Sequence, residues 1–519
     1  MNNRDLQAAW KYHNQTKHSQ ESVRSNPHYL DWTNQPLPFK IYPGLEPIPL
    51  PREVPQTGVA ALSAIADSAS GRSATTPDLK SLSLLLHFSA GITRPRKYPG
   101  GEIYFRAAAC TGALYEIELY LVCGGLPDLE AGVYHFGPAD FALRKLRGGD
   151  WRGWLARAAG HEPAVAQAPL TIVCSGTYWR NAWKYQARTY RHFGWDNGTL
   201  LANLLAMCAA QDLPARAVLG FADEAVNRLL GLDTEREVAF SMVAVGKAAE
   251  PAPAPQGEPS QLEHETVPVS RREVDYPLMR EMHAASSLGT PDEVAAWRES
   301  GPERSSRTSA PPGATALHDL VPLQLQSEEA LPRDPIERVV LRRGSTRQFA
   351  RTSISLPQLS TMLERSTRGV DADFLAPRAQ LNHLYLIVNA VDGLRPGAYC
   401  FHREPGELEL LKAGEFRQQA YALGLEQALP GDASVAVFFL ADLERILDRL
   451  GNRGYRAAQL EAGILGGRLY LAAYALRLGA TGLTFYDDDV VRFFSPHAAG
   501  KSAIFLTAIG HSGKRVPST

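Results

Sequence analysis

A short basic segment, residues 341–349, has the side chains needed to hold a phosphate monoester. Its sequence, LRRGSTRQF, contributes Arg342, Arg343, Ser345 and Arg347. A phosphate offers three strong acceptor oxygens and close to two negative charges, and arginine meets it with planar, often bidentate donors. At the start of a helix, backbone N–H groups would add further donors. A solvated basic helix end fits the same pattern, so the segment by itself leaves both interpretations open.

A second basic pair, Lys514 and Arg515, follows the last apolar segment of the chain, SAIFLTAIG. Basic residues just beyond a strand could meet the first cluster across one anion. A solvated basic tail is the alternative.

An adjacent lysine and tyrosine, Lys184 and Tyr185, could handle a proton. Burial beside a phenol would lower the pKa of the lysine, and the lysine would in turn lower that of the tyrosine. Either group could then act as a general base. The alternative is a solvated helix in the aromatic-rich segment TYWRNAWKYQARTYRHFGW, where His192, Trp195 and Asp196 could also line a pocket.

Other chemical motifs are missing from the sequence. No His/Cys/Asp cluster has zinc spacing, and neither a GxSxG elbow nor a P-loop occurs. No GxGxxG follows a strand and opens a helix, so a Rossmann dinucleotide site is not expected. We interpret the acidic run 487–489 as a helix cap, because Asp488 lies 265 residues after Asp223, where no acidic run exists.

The composition is that of an ordinary globular chain. The 519 residues are 45% hydrophobic and 21% charged, with a net charge of −1. We therefore expect no nucleic-acid or membrane-surface binding. The start of the chain lacks the apolar core of a signal peptide, and five cysteines without a pattern favour reduced thiols. We expect a cytoplasmic protein without a membrane span.

The sequence repeats itself with an offset of 265 residues. Tyr120 matches Tyr385, Arg188 matches Arg453 and Gly198 matches Gly463, together with Gly132 and Gly397, Tyr134 and Tyr399, Tyr190 and Tyr455, Arg191 and Arg456. A fixed offset over a long span indicates a duplicated structural unit. Because the arginines and the tyrosine between them recur in both copies, we predict that they form ion pairs or an interface rather than a reaction site.

Each copy predicts a helix, a strand, a hairpin, a further strand, a long helix and a closing strand. This order is typical of an α+β fold with antiparallel-rich mixed sheets flanked by helices. We predict an extended N-terminal arm over 1–55 and a first domain over 56–247. A Pro/Ala/Ser-rich linker with short helices would span 248–331, before a second domain over 332–519.

Several motifs resemble those of the nitroreductase superfamily. In the second copy these are RRGSTRQF, ATGLTFYDDD and the terminal KR. In the first copy AACTGALYEIELYLV, AGVYHF, WKYQARTYRHFGWDNG and VLGFADEAVNRLLGLD resemble the SagB-type dehydrogenases, which include azoline oxidases of peptide natural-product biosynthesis. The resemblance covers about residues 80–246 and 335–515.

The resemblance implies FMN bound between two copies that form a pseudo-dimer within one chain, with further homodimerisation left open. The phosphate would take the basic cluster with Lys514 and Arg515, and the ring edge would meet Thr481 and Gly482. The first copy would add the turn Cys110, Thr111 and Gly112, which departs from the family's usual Pro-Ser-Ala-Gly. Lys184 and Tyr185 match the Lys-Tyr pair of the azoline oxidases and would be catalytic.

The resemblance also implies a mirror site, for which fewer basic residues are in place. The first copy offers Thr16, Lys17 and His18, and the second copy Pro377, Arg378 and Gln380. We therefore expect one well-formed flavin site and one weaker or empty site.

Three functions follow as hypotheses. The first is a dehydrogenase or oxidase acting on a peptide-derived or other natural-product heterocycle, with oxygen as acceptor. The second is an NAD(P)H-dependent quinone or nitro reductase. The third, of another class, is a flavin-free scaffold subunit that presents a peptide to a partner enzyme.

Overall fold

The two halves of the chain build sheets of the same topology. A computed structural model describes residues 2–25, 27–67, 75–98, 101–255, 257–301 and 319–513. The strands of the first half are β1 (Pro47–Pro49), β2 (Ile92–Tyr98), β3 (Gly101–Arg106), β4 (Ile117–Cys123), β5 (Gly132–Gly137), β6 (Ala142–Gly148), β7 (Leu170–Thr177), β8 (Ala215–Val218) and β9 (Glu237–Val245). Those of the second half are β10 (Leu320–Pro322), β11 (Ile354–Ser355), β12 (Asn382–Val388), β13 (Val391–Asp392), β14 (Gly397–His402), β15 (Glu407–Ala413), β16 (Val435–Ala441), β17 (Gly479–Leu483) and β18 (Ser502–Gly510).

Seven strands of each half pair antiparallel in the same order. The first sheet runs β1-β6-β5-β4-β7-β9-β8 and the second β10-β15-β14-β12-β16-β18-β17. The central strands consist of β-branched, aromatic and leucine residues, and every residue of β4, β7, β16 and β18 is buried. Such strands need cover on both faces, and helices provide it. The predicted α+β fold is confirmed.

Helices lie along both sheets and between the halves. They are α1 (Gln7–Gln15), α2 (Gln20–Ser25), α3 (Ala61–Ala66), α4 (Leu79–Ala90), α5 (Arg152–Ala158), α6 (Pro163–Gln167), α7 (Tyr178–Tyr185), α8 (Thr189–Ala210), α9 (Asp223–Leu230), α10 (Pro277–Ala285), α11 (Pro291–Glu299), α12 (Ile336–Arg342), α13 (Leu356–Thr367), α14 (Arg417–Leu423), α15 (Ala428–Asp432), α16 (Leu443–Leu450), α17 (Arg453–Ala475) and α18 (Asp487–Phe494). Among the described residues, no helix is both long and apolar enough to cross a lipid bilayer.

The two longest helices, α8 and α17, form the seam between the halves. Both are buried on nearly all sides, and they pack against each other. Shorter helices α3 and α12 begin at an antiparallel bridge between Ala60 and Pro335 and contact both long helices. The halves therefore face each other as an internal pseudo-dimer, in the arrangement that the repeat predicts.

Reciprocal ion pairs cross this seam. Arg453 and Arg456 of α17 bind Asp223 of the first half at 2.6 and 2.7 Å. In return, Arg188 and Arg191 bind Asp487 of the second half at 3.2 and 2.6 Å. The interface role predicted for the recurring arginines is confirmed.

The expected cap at Asp488 is wrong. The partner of Asp223 in the repeat is Asp487, because each is the first residue of its helix, α9 after Ala222 and α18 after Tyr486, which gives an offset of 264 here. Asp487 is buried and binds arginines of the other half. Asp488 instead pairs with Lys17 at 2.8 Å, so charge pairing replaces the expected backbone cap.

The duplicated unit begins before the first predicted domain. Arg191 donates to the hydroxyl of Thr16 and to the carbonyl of His13, and Arg456 donates to the hydroxyl of Ser286 and the carbonyl of His283 in the same way. Helix α10, inside the predicted linker, is therefore the counterpart of α1. The segment predicted to be a linker contains α10 and α11, and the segment predicted to be an extended arm contains α1 and α2.

Candidate functional site

A pocket of about 320 Å³ lies at the seam and takes its walls from both halves. This volume falls in the range of small-molecule sites. Of the residues that the sequence assigned to a flavin site or a pocket here, the lining contains Cys110, Thr111, Gly112, Lys184, Tyr185, His192, Trp195, Asp196, Ser345, Arg347, Thr481 and Gly482. Residues from four distant segments of the sequence therefore meet in one cavity.

The first wall is the turn at Cys110–Gly112, which is fixed by Asp196 of α8. The amide of Thr111 donates to this carboxyl at 2.9 and 3.0 Å, and the Thr111 hydroxyl donates at 2.9 Å. Gly112 has φ 65°, and a Cβ there would come within 2.9 Å of the Tyr185 hydroxyl. A threonine and a buried acid thus define a turn that has no proline to stiffen it.

A pair of buried acids lies under this turn. Asp196 shares a hydrogen bond with Glu116, and the thiol of Cys110 lies 3.4 Å from a carboxyl oxygen of each. Burial and the neighbouring Glu116 raise the pKa of Asp196 well above its ordinary value. The raised pKa favours the protonated form of Asp196 beneath the pocket.

Lys184 and Tyr185 end α7 at the pocket wall. The Lys184 ammonium lies 5.4 Å from the centre of the Tyr185 ring. Desolvation, followed by the charge of Arg347, lowers the pKa of Lys184. Burial, followed by the charges of Asp196, raises the pKa of Tyr185. The expected lowering for the tyrosine is wrong, because burial, followed by the nearby acids, outweighs the opposing charge of Arg347, and the phenol stays protonated at neutral pH.

The basic end of the pocket is smaller than the sequence suggested. Ser345 and Arg347 line it, and among the described residues Arg347 has no ion-pair partner. They lie in the loop that follows the C-terminal end of α12. The expected helix N-terminus at this cluster is wrong, so side chains rather than helix-end amides would meet an anion here.

The two preceding arginines are bound elsewhere. Arg342 pairs with Asp334 at 2.7 Å and donates to the carbonyl of Tyr474. Arg343 donates at 3.0 Å to the carbonyl of Ala107 in the other half. Neither arginine lines the pocket. Their contacts instead attach α12 to neighbouring segments. Lys514 and Arg515 lie outside the described residues.

The wall opposite the turn is the edge of β17. Thr481 to Thr484 line the pocket with Phe505 of β18 behind them. The amide of Gly482 donates to the hydroxyl of Tyr470 on α17. A Cβ at Gly482 would come within 3.2 Å of the Phe505 ring, so glycine at this position lets Phe505 pack against the strand.

Several further residues enter the pocket. It is lined by Gln427, Tyr470 and Phe505, which were not predicted by sequence, and by His18, which was expected at the mirror site. Burial, and then the charge of Arg188, lowers the pKa of His18 to about 3, which keeps this ring neutral. Glu116, beneath the pocket, belongs to the first-copy motif AACTGALYEIELYLV, but its place here was not predicted, because only the folded chain brings it beside Asp196.

The mirror position is filled by protein. The strand equivalent to Thr481–Thr484 is 217–220, and Ala217 exchanges backbone hydrogen bonds with the segment 371–373. Asp373 accepts from the amides of Leu219 and Gly220 at 2.8 Å. A Cβ on Gly220 would also meet Trp297 and Arg298 of α11 at 3.1 Å. Among the described residues, segment 371–373 and helix α11 therefore cover this part of the strand.

Two further differences separate the mirror position from the pocket. Arg449 and Leu450 stand where the pocket has Lys184 and Tyr185, and the Trp297 indole donates to the carbonyl of Leu450 at 2.8 Å. Of the residues expected to serve the mirror site, His18 lies in the pocket itself, whereas Arg378 is exposed and distant from it.

Comparisons with known proteins agree with the duplicated architecture. A model of the nitroreductase family matches residues 128–247 and 340–511, more than half of the chain. A crystal structure of a putative nitroreductase from Anabaena variabilis is similar over 98% of this chain and 99% of its own, with a TM-score of 0.75 and 26% identity. A curated putative nitroreductase from Methanocaldococcus jannaschii is 25% identical over 180 residues, covering 34% of this chain and 89% of its own length.

Proposed function

This chain belongs to the nitroreductase family, whose members are generally flavin-dependent oxidoreductases, and we propose that it binds one FMN per chain. The observation that carries the proposal is the seam pocket. Its second-half wall contains an arginine without an ion-pair partner among the described residues and the edge of β17, and its first-half wall contains the Lys184–Tyr185 pair. The plugged mirror position supports a single site.

The residues of the pocket fit FMN by their chemistry. Arg347 and the hydroxyl of Ser345 would take the phosphate. The backbone at Thr481 and Gly482 would meet the edge of the ring, and the Cys110–Gly112 turn would face it from the other half. FMN supplies hydride transfer. The protein must supply orientation, exclusion of water and a place for the accompanying proton.

The finer proposal is a dehydrogenase or oxidase of a peptide-derived or other natural-product heterocycle. Lys184, with its lowered pKa, accepts the substrate proton. Tyr185 remains protonated and donates a hydrogen bond that orients the substrate. Its contact with the turn residue Gly112 would hold the phenol in place. Oxygen would serve as the electron acceptor.

Flavin stoichiometry tests the cofactor. Protein reconstituted with FMN and desalted should show absorbance near 450 nm with one flavin per chain. Two flavins per chain would contradict the plugged mirror position. A colourless protein that gains no FMN would instead favour the flavin-free scaffold.

The direction of the reaction has its own test. A thiazoline-containing peptide incubated in air with the holoprotein should lose two hydrogens, as read by mass spectrometry. Rapid bleaching of the flavin by NADPH without oxygen, with no change in the peptide, would favour the quinone or nitro reductase.

A further inference from the structure

A second cluster of reactive side chains lies in the second sheet, away from the seam pocket. Tyr385, Cys400 and Glu409 stand side by side on the neighbouring strands β12, β14 and β15, since Cys400 is opposite both other residues in register. His402 follows two positions along β14 and therefore projects from the same face. His497 reaches the cluster from the loop between α18 and β18.

The side chains converge closely enough to share one ion. A ligand atom from each of Cys400, His402 and His497 lies within 4.8 Å of the other two. Oε2 of Glu409 lies 2.6 Å from Nε2 of His402 and 3.6 Å from Nε2 of His497. Both imidazoles therefore turn the same nitrogen toward the centre.

The histidine from the loop is held in orientation by a second contact. The hydroxyl of Tyr385 lies 2.9 Å from Nδ1 of His497, which leaves Nε2 facing Glu409. Metal-binding histidines characteristically use their other nitrogen in a hydrogen bond of this kind.

The geometry points to a structural zinc site formed by Cys400, His402, His497 and Glu409. One thiolate and two imidazoles are ligands that Zn²⁺ prefers, and the carboxylate of Glu409, beside both histidines, would complete a set of four. Cys400 is buried, while the side chains of His402, His497 and Glu409 are 19%, 11% and 8% exposed. Two ligands, His402 and His497, are thus partly exposed, which gives an ion a way in.

One nearby cation weighs on both sides of this balance. Lys501 lies close enough to Cys400 for its charge to act on the thiol, and its positive charge would repel a metal. The combined charge of a thiolate and a carboxylate would compensate a divalent ion.

The first half shows that the fold does not require this cluster. The residues at the equivalent positions of β5 and β6 are His135, Gly137 and Arg144 in place of Cys400, His402 and Glu409. An arginine and a glycine there exclude a metal. The second half alone carries the ligand set, where the ion would fasten the hairpin β14–β15 to the loop before β18.

The sequence conceals the site because its ligands are spread over residues 400–497. A Cys-x-His on one strand and a glutamate on the next become neighbours only through strand register, and the fourth ligand comes from a loop. Spacing rules for zinc address ligands in short consecutive motifs, and they miss this arrangement.

Metal analysis of the whole protein tests the site. Protein dialysed against chelator, loaded with ZnCl₂ and desalted should retain one zinc per chain by elemental analysis. Loading with Co²⁺ should give a visible ligand-field spectrum with a sulfur-to-cobalt charge-transfer band. Cys400→Ser should abolish that band, and His497→Ala should reduce retained zinc at least ~10-fold.

Control measurements distinguish a loss of zinc binding from misfolding and from a loss of flavin binding. Cys123→Ser removes a buried thiol of the first half and should retain zinc and the cobalt spectrum. Flavin loading and circular dichroism of every variant show whether it is folded. Wild-type protein that retains no zinc, or a Cys400→Ser variant that keeps the band, would overturn the assignment whether or not FMN binds.

Discussion

Gly198 of α8 and Gly463 of α17 touch each other at the centre of the seam. A Cβ on Gly198 would lie 2.5 Å from the Cα of Gly463, and a Cβ on Gly463 would lie 2.9 Å from the Cα of Gly198. The two residues occupy the same position in the repeat. Their contact lets the long helices approach at backbone distance, and this approach sets the separation of the two walls of the pocket.

The Gly198→Ala variant should therefore be destabilised. Within a free helix, alanine is favoured over glycine by about 1 kcal/mol, but here the added methyl group meets the backbone of the facing helix. Overpacking of this kind costs about 1–3 kcal/mol. Chemical denaturation should show the loss. Gly44→Ala, where nothing lies within 4 Å, is the control, and an unchanged midpoint for Gly198→Ala would contradict the close approach.

The ion pairs at the seam make the stability of the protein depend on pH, and the direction of this dependence follows from the pKa of Asp223. Its contacts with Arg453 and Arg456 outweigh burial and lower its pKa to about 2. A carboxylate with a lowered folded pKa adds stability above its unfolded pKa, about 3.9, and loses it as the pH falls toward 2. The shift corresponds to about 2 kcal/mol. Urea unfolding between pH 5 and pH 2.5 should show this loss.

Asp223→Asn tests the same contact at neutral pH. The substitution leaves two buried guanidinium groups unpaired, which costs about 3–5 kcal/mol. The difference from wild type should shrink in acid, as the wild-type carboxyl takes up its proton. Asp489→Asn removes an exposed pair with Arg492 and should change stability by less than about 1 kcal/mol. An equal acid slope in wild type and Asp223→Asn would contradict the assignment.

Much of the fold was predicted from the repeated sequence, because its strands are determined by residues that are close together in the chain. Strand β4 occupies IELYLVC and β18 occupies SAIFLTAIG, as apolar runs bounded by turns indicate. The early part of α8 was less evident. Its segment Thr189–Gly198 mixes aromatic and charged residues, and it is helical because its charges pair across the seam.

The part of the candidate site that was predicted from the sequence is the part formed by residues close together in the chain. The turn at Cys110–Gly112 and the Lys184–Tyr185 pair lie in contiguous motifs and meet in the pocket. Local sequence does not show that Arg342 forms an ion pair with Asp334 or that Glu116 lies beside Asp196. Nor does it show that Trp297 covers the mirror position. Those outcomes depend on contacts between residues far apart in the chain.

Arg347→Ala should lower the affinity for FMN. The substitution removes the pocket's unpaired guanidinium, and a charge-assisted hydrogen bond to phosphate is worth about 1.5–3 kcal/mol. The dissociation constant should rise by about 10- to 100-fold in a fluorescence titration, with little change in thermal stability of the apoprotein.

Arg351→Ala is the matched control, because this arginine of the same loop pairs with Asp432 outside the pocket. Its flavin affinity should equal that of wild type. If Arg347→Ala also binds FMN as wild type does, the phosphate lies elsewhere.

Lys184→Ala should give a yellow protein with little turnover. The lysine faces the pocket from the first half, while the phosphate contacts come from the second, so flavin loading should persist. Loss of a general base costs about 10²- to 10⁴-fold in rate. With a thiazoline peptide as the probe, wild-type kcat/KM should rise with pH through the lowered pKa of the lysine, and this rise should be absent in the variant.

Arg449→Ala is the control, because it changes the equivalent residue at the mirror position, and it should leave the rate and its pH profile intact. If Lys184→Ala oxidises the peptide at the wild-type rate, or if Arg449→Ala loses as much activity as Lys184→Ala, Lys184 is not the general base.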